Sequence, residues 1–185
     1  APPLGATSLL EYDAVRLFVE RAHAVVPTFH LAENNAHAVV EICQRLDGIP
    51  LALELASARV NVLTAGQIAA RLDDRFALLT NGSRAAHVAH HHTLRAAIDW
   101  SHGLLTAEEQ TLFRRLAAFA AGFTLDTAEA VCAGEGLAEK RVLDVLASLV
   151  DKSLVVAETT SRAQARYRLL ETIREYAREK LDAAG

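Results

Sequence analysis

The sequence predicts a mainly α-helical fold, in which a small helical bundle is followed by a winged-helix domain with a two-stranded β-hairpin wing. Three observations support this prediction. Apolar residues recur at helical spacing along most of the chain, residues 154–158 and 165–170 alternate between apolar and polar side chains, and this alternating pair follows three predicted helices. Three helices followed by a hairpin is the element order of a winged helix.

Composition indicates a folded protein and excludes several classes. The chain has 185 residues, of which 51% are apolar and 23% charged, enough for one large or two small domains. The net charge of -4 argues against a nucleic-acid surface spread over the whole chain, although a local basic patch remains open. No apolar run approaches the roughly 20 residues of a membrane span. The two cysteines, Cys43 and Cys132, lie in apolar helical patterns, which suits buried thiols in a reducing cytoplasm. We therefore expect a cytoplasmic protein without a membrane partner.

The first predicted domain is helical and covers residues 1–80. Its opening residues are typical of a linker, and the missing initiator methionine indicates a segment of a longer polypeptide. Helices are predicted over residues 33–46 and 51–62 from their apolar spacing. Gly48 is expected to end the first of them as a C-cap glycine, and Pro50 to occupy the first turn of the next, where its missing N–H is not needed.

Capping boxes are predicted at three helix starts. In each, a Ser or Thr side chain and a Glu or Gln side chain three residues later satisfy first-turn amides reciprocally. The predicted pairs are Ser8 with Glu11, Thr64 with Gln67, and Thr106 with Glu109. Each pair therefore predicts where a helix begins.

Residues 81–92 are predicted to form a linker loop, because they contain Asn-Gly-Ser and lack an apolar period. The loop carries a histidine cluster: His87, His90, His91 and His92. Zinc sites usually combine ligands of fixed geometry with thiol or carboxylate groups, and no Asp or Glu lies between residues 75 and 98. We expect a solvated loop and no metal site. A metal-dependent hydrolase built on these histidines is the remote alternative.

The second predicted domain, residues 93–185, is the winged helix. Its elements are helices over 93–103, 107–118, 126–133 and 138–150, the hairpin, and a last amphipathic helix over 171–181. In the last helix, oppositely charged pairs lie at i,i+3 spacing, which supports helix formation.

Four segments, in order and at matching spacing, resemble the signal-transducing STAND ATPases, of which the NB-ARC proteins are an example. The segments are LLEYDAVRLFVERA (9–22), ICQRLDGIPLALELASARV (42–60), residues 93–132, and RYRLLETIREYAREKL (166–181). The second is similar to the GxP motif of that family. The last two are similar to the bacterial LuxR-type, AfsR-like branch of transcriptional regulators. Together they cover most of the chain.

The resemblance implies a nucleotide contact at Gly48, Ile49 and Pro50. In the family this turn lies against the adenine and ribose of bound ATP or ADP. A proline fixes the backbone and presents ring and carbonyl surface without a competing N–H. Without the resemblance, a glycine followed by a proline is more simply a turn between two helices. Both interpretations remain open at this stage.

Other family features are missing. Aligned on RYRLLETIREYA, the MHD triplet falls on Leu169, Leu170 and Glu171, and Leu170 cannot donate a hydrogen bond to phosphate as histidine would. No GxxxxGK[ST] phosphate loop is present, and residues 146–153, which mimic a Walker B strand, continue a helical stripe. We expect no catalytic residue here and no ATP hydrolysis by this segment. Magnesium with ATP or ADP belongs to the full-length protein.

The predicted third helix of the winged helix, Glu139–Val150, is the element that would contact the bases if this domain bound DNA. It carries Lys140 and Arg141, but Glu139, Asp144 and Asp151 interrupt the basic charge that phosphate contacts need. The best basic counter-evidence is on the wing: Arg162, Arg166 and Arg168.

The sequence therefore predicts a nucleotide-dependent lid of a signalling or transcription-regulating ATPase. Its expected partner is the P-loop nucleotide-binding domain of the same polypeptide, and DNA would be bound by a separate domain. The alternative is a winged-helix DNA-binding transcriptional regulator domain.

Overall fold

The computed structural model describes residues 6–76, 86–158 and 165–184, and within them the side chains of 8–72, 93–158 and 165–184. The chain forms two compact units, Ala1–Ser101 and His102–Gly185. We call them the helical unit and the winged-helix unit. The domain limits predicted from the sequence placed the division earlier, around the linker 81–92.

The helical unit is built from helices that bury one apolar stripe each. They are α1 (Ala6–Leu9), α2 (Asp13–Val25), α3 (Glu33–Arg45), α4 (Pro50–Ser57), α5 (Ala65–Phe76) and the greater part of α6 (Ala86–Gly103). Helix α2 packs against α4, and α3 packs against α5. The fully buried side chains of this core include Phe18, Ile42, Leu53, Leu55, Ile68 and Leu72.

The winged-helix unit has the predicted element order. Its elements are α7 (Ala107–Leu116), α8 (Leu125–Cys132), a 3-10 turn (Glu139–Arg141) continued by α9 (Val142–Asp151), strands β1 (Val156–Glu158) and β2 (Arg166–Arg168), and α10 (Glu171–Asp182). Helix α7 packs against α9 and α10, and α8 packs against α9. The fold class predicted from the sequence is confirmed: mainly helical, with a winged helix and a two-stranded antiparallel hairpin.

The wing is anchored to the rest of its unit by backbone hydrogen bonds. Val156 pairs with Arg168 and Glu158 pairs with Arg166 across the hairpin. On the other side of β2, Tyr167 and Phe123 exchange two backbone hydrogen bonds of 2.8 Å each. The hairpin is therefore held on both sides of β2, which fixes its position relative to α8.

Two predicted helix limits were wrong. Ser8 forms no capping box, because it lies inside the short helix α1, and α2 begins only at Asp13. The predicted loop was too long at its end, because α6 reaches back to Ala86 and no Gly or Pro interrupts residues 86–102. Residues 81–85 lie outside the described part. The third helix begins at Glu139 as predicted, and its first turn is a 3-10 turn.

Candidate functional surfaces

The turn at Gly48 joins α3 to α4 with a closely bonded backbone. Asp47 and Gly48 both have positive φ, 51° and 66°. The N–H of Gly48 donates to the carbonyl of Cys43 at 3.0 Å, and the N–H of Asp47 donates to Gln44 at 3.1 Å. This is a Schellman motif, in which Asp47 and not Gly48 takes the C′ position. The hydroxyl of Thr93 donates to the Asp47 carboxylate at 2.8 Å and helps to hold the turn.

Ile49 and Pro50 start the next helix as predicted. Pro50 lies in the first turn of α4, and Ile49 is its extended N-cap residue. The Ile49 N–H donates to Leu46 at 2.9 Å, and its carbonyl accepts from Leu53 at 3.0 Å. All three predicted site residues thus have a structural role in a helix–helix turn, and a ligand contact would be added to that role.

Gly48 also forms part of the wall of an apolar groove in the helical unit. The groove has a volume of about 360 Å³ and is lined by Leu9, Tyr12, Ala14, Val15, Val40, Cys43, Gln44 and Gly48. Tyr12 is 58% exposed, so its ring is available at the surface. Small-molecule sites commonly have mainly apolar walls with a few polar groups, and this groove has that character. Ile49 and Pro50 do not line it.

Both thiols of the chain are buried, and burial raises their pKa values. Burial raises the pKa of Cys43 to about 12. Burial also raises the pKa of Cys132 to about 11, against an opposing effect of the Arg115 charge. Because the thiolate is the nucleophile and the metal ligand, neither cysteine is a candidate for catalysis. Among the described side chains, no three His, Cys, Asp or Glu residues come together as metal ligands. The side chains of the histidine cluster lie outside the described part.

The residues aligned with the MHD triplet serve the start of α10. Leu169 is buried, and Leu170 is the N-cap, whose carbonyl accepts from the Arg174 amide at 2.8 Å. Glu171 pairs with Arg174 at 2.6 Å, and this hydrogen bond is the main reason why the pKa of Glu171 is lowered. The side chains at these positions are apolar or a carboxylate, and none of the three can donate a hydrogen bond to a phosphate.

The basic charge of the third helix is largely neutralised. Arg141 donates to Asp144 at 2.8 Å and to Glu108, on α7, at 3.2 Å. The hydrogen bond to Glu108, with the charges of Glu108 and Asp144, raises the pKa of Arg141. Lys140 is exposed and forms no ion pair with a described residue. Lys140 is therefore the one cation from this helix start that is available to an outside partner in the described part.

A polar network beneath the third helix joins it to α7. Glu109 is 5% exposed and accepts from the Thr106 amide at 2.8 Å and from the Ser148 hydroxyl at 2.6 Å. Lys152 makes a close ion pair with the same carboxylate. The sequence indicated only the capping bond from Thr106, because the other two partners are 39 and 43 residues away.

The wing carries arginines next to an aromatic row. Tyr167 stacks on Phe123 at a ring distance of 5.9 Å. Arg168 is paired with Glu158 across the hairpin, whereas Arg166 is exposed and forms no ion pair with a described residue. Arg162 lies outside the described residues. Of the two wing arginines that the structure describes, Arg166 is therefore the uncompensated one.

A buried arginine in the helical unit was not anticipated from the sequence. Arg59 is 3% exposed and donates to the Ser101 hydroxyl at 2.6 Å and to the Ser101 carbonyl at 3.2 Å. The two residues are 42 positions apart, so no local pattern marks the pair.

No helix in the described ranges is long and apolar enough to cross a membrane.

Comparisons with known proteins identify the winged helix and a class of relatives. Residues 105–182 match the model of the winged helix-turn-helix domain family. The chain is 57% identical over 173 residues to a protein provisionally named HTH-type transcriptional regulator Rv0890c of Mycobacterium tuberculosis, covering 94% of the chain and 19% of that protein. The corresponding regulator Mb0914c of Mycobacterium bovis has the same identity. The chain is also 46% identical, over its whole length, to uncharacterized protein Rv0894 of M. tuberculosis, of which it covers 46%.

The chain thus spans about a fifth of the length of the named regulators and just under half of the length of Rv0894. The matched family is a winged helix-turn-helix domain, the regulators' names refer to transcription, and none of these names mentions a nucleotide. These comparisons favour the DNA-binding interpretation over the nucleotide-dependent lid. The resemblance to STAND ATPases and to their LuxR-type branch stays a prediction.

Proposed function

We propose that this chain is a non-enzymatic segment of a bacterial, cytoplasmic transcription regulator, and that its winged helix contacts protein rather than reading DNA. The regulatory role rests on the 57% identity to a protein named as a transcriptional regulator. The choice of protein over DNA rests on one observation: on the third helix Arg141 is engaged by Glu108 and Asp144. A helix that reads bases needs free Arg, Lys, Asn or Gln side chains facing the groove.

DNA binding is the second candidate, and the comparisons favour it. The matched family is a winged helix-turn-helix domain, a fold that often places its third helix in the major groove. If the chain binds DNA, Arg166 on the wing and Lys140 before the third helix supply the uncompensated charge. Such contacts to phosphates carry affinity but no sequence information.

A fluorescence-anisotropy titration with random and genomic duplexes separates the two candidates. We expect no measurable affinity near physiological salt, and weak, sequence-blind binding at low salt, because phosphate-driven affinity falls by orders of magnitude between these conditions. Replacing Arg162, Arg166 and Arg168 by alanine should abolish the low-salt binding. The control, Arg16→Ala with Arg21→Ala in the helical unit, should reduce it much less. Submicromolar, sequence-selective binding at physiological salt would establish the DNA-binding candidate instead.

We further propose that the turn Gly48–Ile49–Pro50 contacts the adenine side of ATP or ADP in the full-length protein, which would make the segment a nucleotide-dependent lid. Support comes from the resemblance at residues 42–60 and from the apolar groove that Gly48 lines. The phosphates and magnesium would be held by a P-loop domain of the same polypeptide, because this sequence contains no GxxxxGK[ST] phosphate loop. A separate domain would bind DNA.

Pro50→Ala in the full-length protein tests this contact. Loosening the turn should weaken ADP binding by about tenfold, equivalent to about 1.4 kcal/mol, in a calorimetric titration. Pro27→Ala is the matched control, because Pro27 is an exposed turn residue away from the groove. An unchanged ADP affinity and exchange rate in Pro50→Ala would remove the nucleotide contact and leave the regulatory role standing.

A further inference from the structure

Asp47 adopts a backbone conformation that is unfavourable for an aspartate. It takes the C′ position of the turn after α3 with a φ of 51°, in the left-handed region. Glycine, and sometimes asparagine, is the usual residue at this position, because the left-handed region crowds the side chains of most other residues. Non-glycine residues held in this region are concentrated at functional sites, where the surrounding structure stabilises them.

The charge of Asp47 is unfavourable at the same place. Helix α3 ends at Arg45, and the carbonyl groups of its last turn carry partial negative charge. A carboxylate directly after that turn is repelled by these carbonyls, whereas an uncharged side chain is not. Folding stability alone would therefore favour glycine or asparagine at position 47, so we expect the carboxylate to serve a purpose besides stability.

The Asp47 carboxylate receives a hydrogen bond from a helix that is distant in the sequence. Thr93 of α6 is 8% exposed and donates its hydroxyl to this carboxylate at 2.8 Å. The two residues are 46 positions apart. The backbone N–H groups of residues 47–49 donate to carbonyls of residues 43–46, so these bonds hold the turn to the end of α3. The hydrogen bond from Thr93 ties the same turn to α6.

The position of this turn affects the groove that Gly48 lines. A Cβ added to Gly48 would lie 3.7 Å from the Cβ of Ala14, so the turn lies directly against α2. Ala14 and Gly48 both line the groove. A small shift of the turn would therefore change the width of the groove. Binding sites need their contact groups held within roughly 0.5 Å of the productive geometry.

We propose that Asp47 and Thr93 are positioning residues for the nucleotide contact at Gly48. The Thr93 hydroxyl holds the Asp47 carboxylate, and Asp47 in turn fixes the backbone of Gly48, the next residue, against α2. Neither side chain has to touch the nucleotide for this role. The inference rests on the proposed contact between the turn and ADP in the full-length protein, and it adds the residues that fix the geometry of that contact.

Variants of Asp47 separate positioning from stability. Asp47→Gly suits the left-handed backbone but removes the hydrogen-bond acceptor. The 185-residue chain should therefore stay at least as stable in urea unfolding followed by Trp100 fluorescence. In the full-length protein, calorimetric titration should show ADP binding weakened about fivefold, the size expected for one hydrogen bond. Asp47→Asn keeps an acceptor oxygen and should keep the ADP affinity. A merely structural role would instead make stability and affinity fall together.

Variants of Thr93 test the other end of the hydrogen bond. Thr93→Val keeps the shape of the side chain without its hydroxyl, and should weaken ADP binding as much as Asp47→Gly does. Thr93→Ser keeps the donor and should keep the affinity. The two weakening substitutions combined should have no larger effect than either alone, because both remove the same bond. The control is Ser57→Ala, which removes a buried hydroxyl that donates to the Glu54 carbonyl within α4. It should leave ADP affinity unchanged.

Three results would overturn the inference, and they can be told apart. Weakened ADP binding in Pro50→Ala, with unchanged binding in Asp47→Gly and Thr93→Val, would show that the pair does not position the turn and would leave the nucleotide contact standing. Unchanged binding in all three variants would remove the nucleotide contact and the positioning role with it. Equal weakening by Asp47→Asn and Asp47→Gly would show that the charge of Asp47 acts by itself, without the bond from Thr93.

Discussion

Gly122 lies where the wing comes closest to the helices of its unit. It has a φ of 90°, and a Cβ added there would lie 2.9 Å from the carbonyl oxygen of Tyr167. The next residue, Phe123, exchanges two backbone hydrogen bonds with Tyr167. Only glycine combines this backbone conformation with so close an approach of the β2 strand.

Gly122→Ala should therefore destabilise the winged-helix unit by about 2–3 kcal/mol, because the substitution adds both backbone strain and a steric contact. The control is Gly66→Ala, in the first turn of α5, where an added Cβ meets nothing within 4 Å. That variant should be neutral or gain up to about 1 kcal/mol, as alanine is the better helix former. Urea unfolding followed by circular dichroism measures both. Equal effects of the two variants would contradict this account of Gly122.

Glu109 gives the molecule a specific acid sensitivity. Burial alone would raise the pKa of this carboxyl, but the hydrogen bonds from Lys152, Ser148 and the Thr106 amide, with the charge of Lys152, together lower it. A carboxyl with a lowered folded-state pKa stabilises the fold above its ordinary pKa of about 4.5, and this stabilisation is lost as the pH falls through the folded value.

As the pH falls below about 4.5, the free energy of unfolding should accordingly decrease less in Glu109→Gln than in the unsubstituted chain, because the glutamine side chain does not titrate. Glu109→Ala should cost about 2–4 kcal/mol at neutral pH, since it also leaves the Thr106 amide and Lys152 without their acceptor. The exposed Glu175→Gln serves as the control. Parallel pH profiles for Glu109→Gln and the unsubstituted chain would exclude a role for Glu109 in acid unfolding.

At the level of the elements, local patterns identified helices well and their starts less well. The capping boxes at Thr64 and Thr106 are confirmed by reciprocal hydrogen bonds of 2.8–3.3 Å. The box at Ser8 was wrong because Leu9 is buried, and α1 forms around it before the chain turns at the extended Tyr12. That burial depends on α3, against which α1 packs, and no local pattern contains it.

Thr64→Ala should destabilise the helical unit by about 1 kcal/mol, the usual value for a lost N-cap side chain. Ser8→Ala should change stability by less than about 0.5 kcal/mol, because no cap is present to lose. Fluorescence of Trp100, which is buried in the helical unit and is the only tryptophan of the chain, reports urea unfolding in both variants. Equal losses would indicate that Ser8 caps a helix after all.

Some features of the candidate surfaces depend on neighbouring residues and could be predicted, whereas others depend on residues far apart in the sequence. The turn at Gly48 and Pro50 could be predicted, since glycine and proline act through their own backbone. The groove beside it could not, because residues from α1, α2 and α3 come together to form it. The pairing of Arg141 with Glu108 spans 33 residues, so the sequence did not show that Arg141 is engaged. The pairing of Arg168 with Glu158 across the hairpin was not anticipated either.

For the molecule as a whole, charge and missing motifs limit what the chain can do alone. The net charge is -4, and four cations of the winged-helix unit, Arg141, Lys152, Arg168 and Arg174, are paired with acids. The 185 residues contain no GxxxxGK[ST] sequence. Tight binding of a nucleotide depends on charge-assisted hydrogen bonds to its phosphates, and these are about twice as strong as neutral ones. The proposed nucleotide contact is therefore one to the base and sugar, beside the apolar groove that Gly48 lines.

The chain should therefore show no magnesium-dependent release of phosphate from ATP, and should bind ADP far more weakly than the full-length protein does. Phosphate release and calorimetric titration measure the two effects. Asp151→Asn is the informative variant, because Asp151 is the acidic residue of segment 146–153, which mimics a Walker B strand, yet it lies at the exposed end of α9. A preparation could release phosphate from ATP, and this activity could survive Asp151→Asn and every substitution in the groove. Such activity comes from a contaminating enzyme. Turnover abolished by a substitution in this chain, with the fold intact, would mean that these residues hold the phosphates themselves, and the lid interpretation would then be wrong.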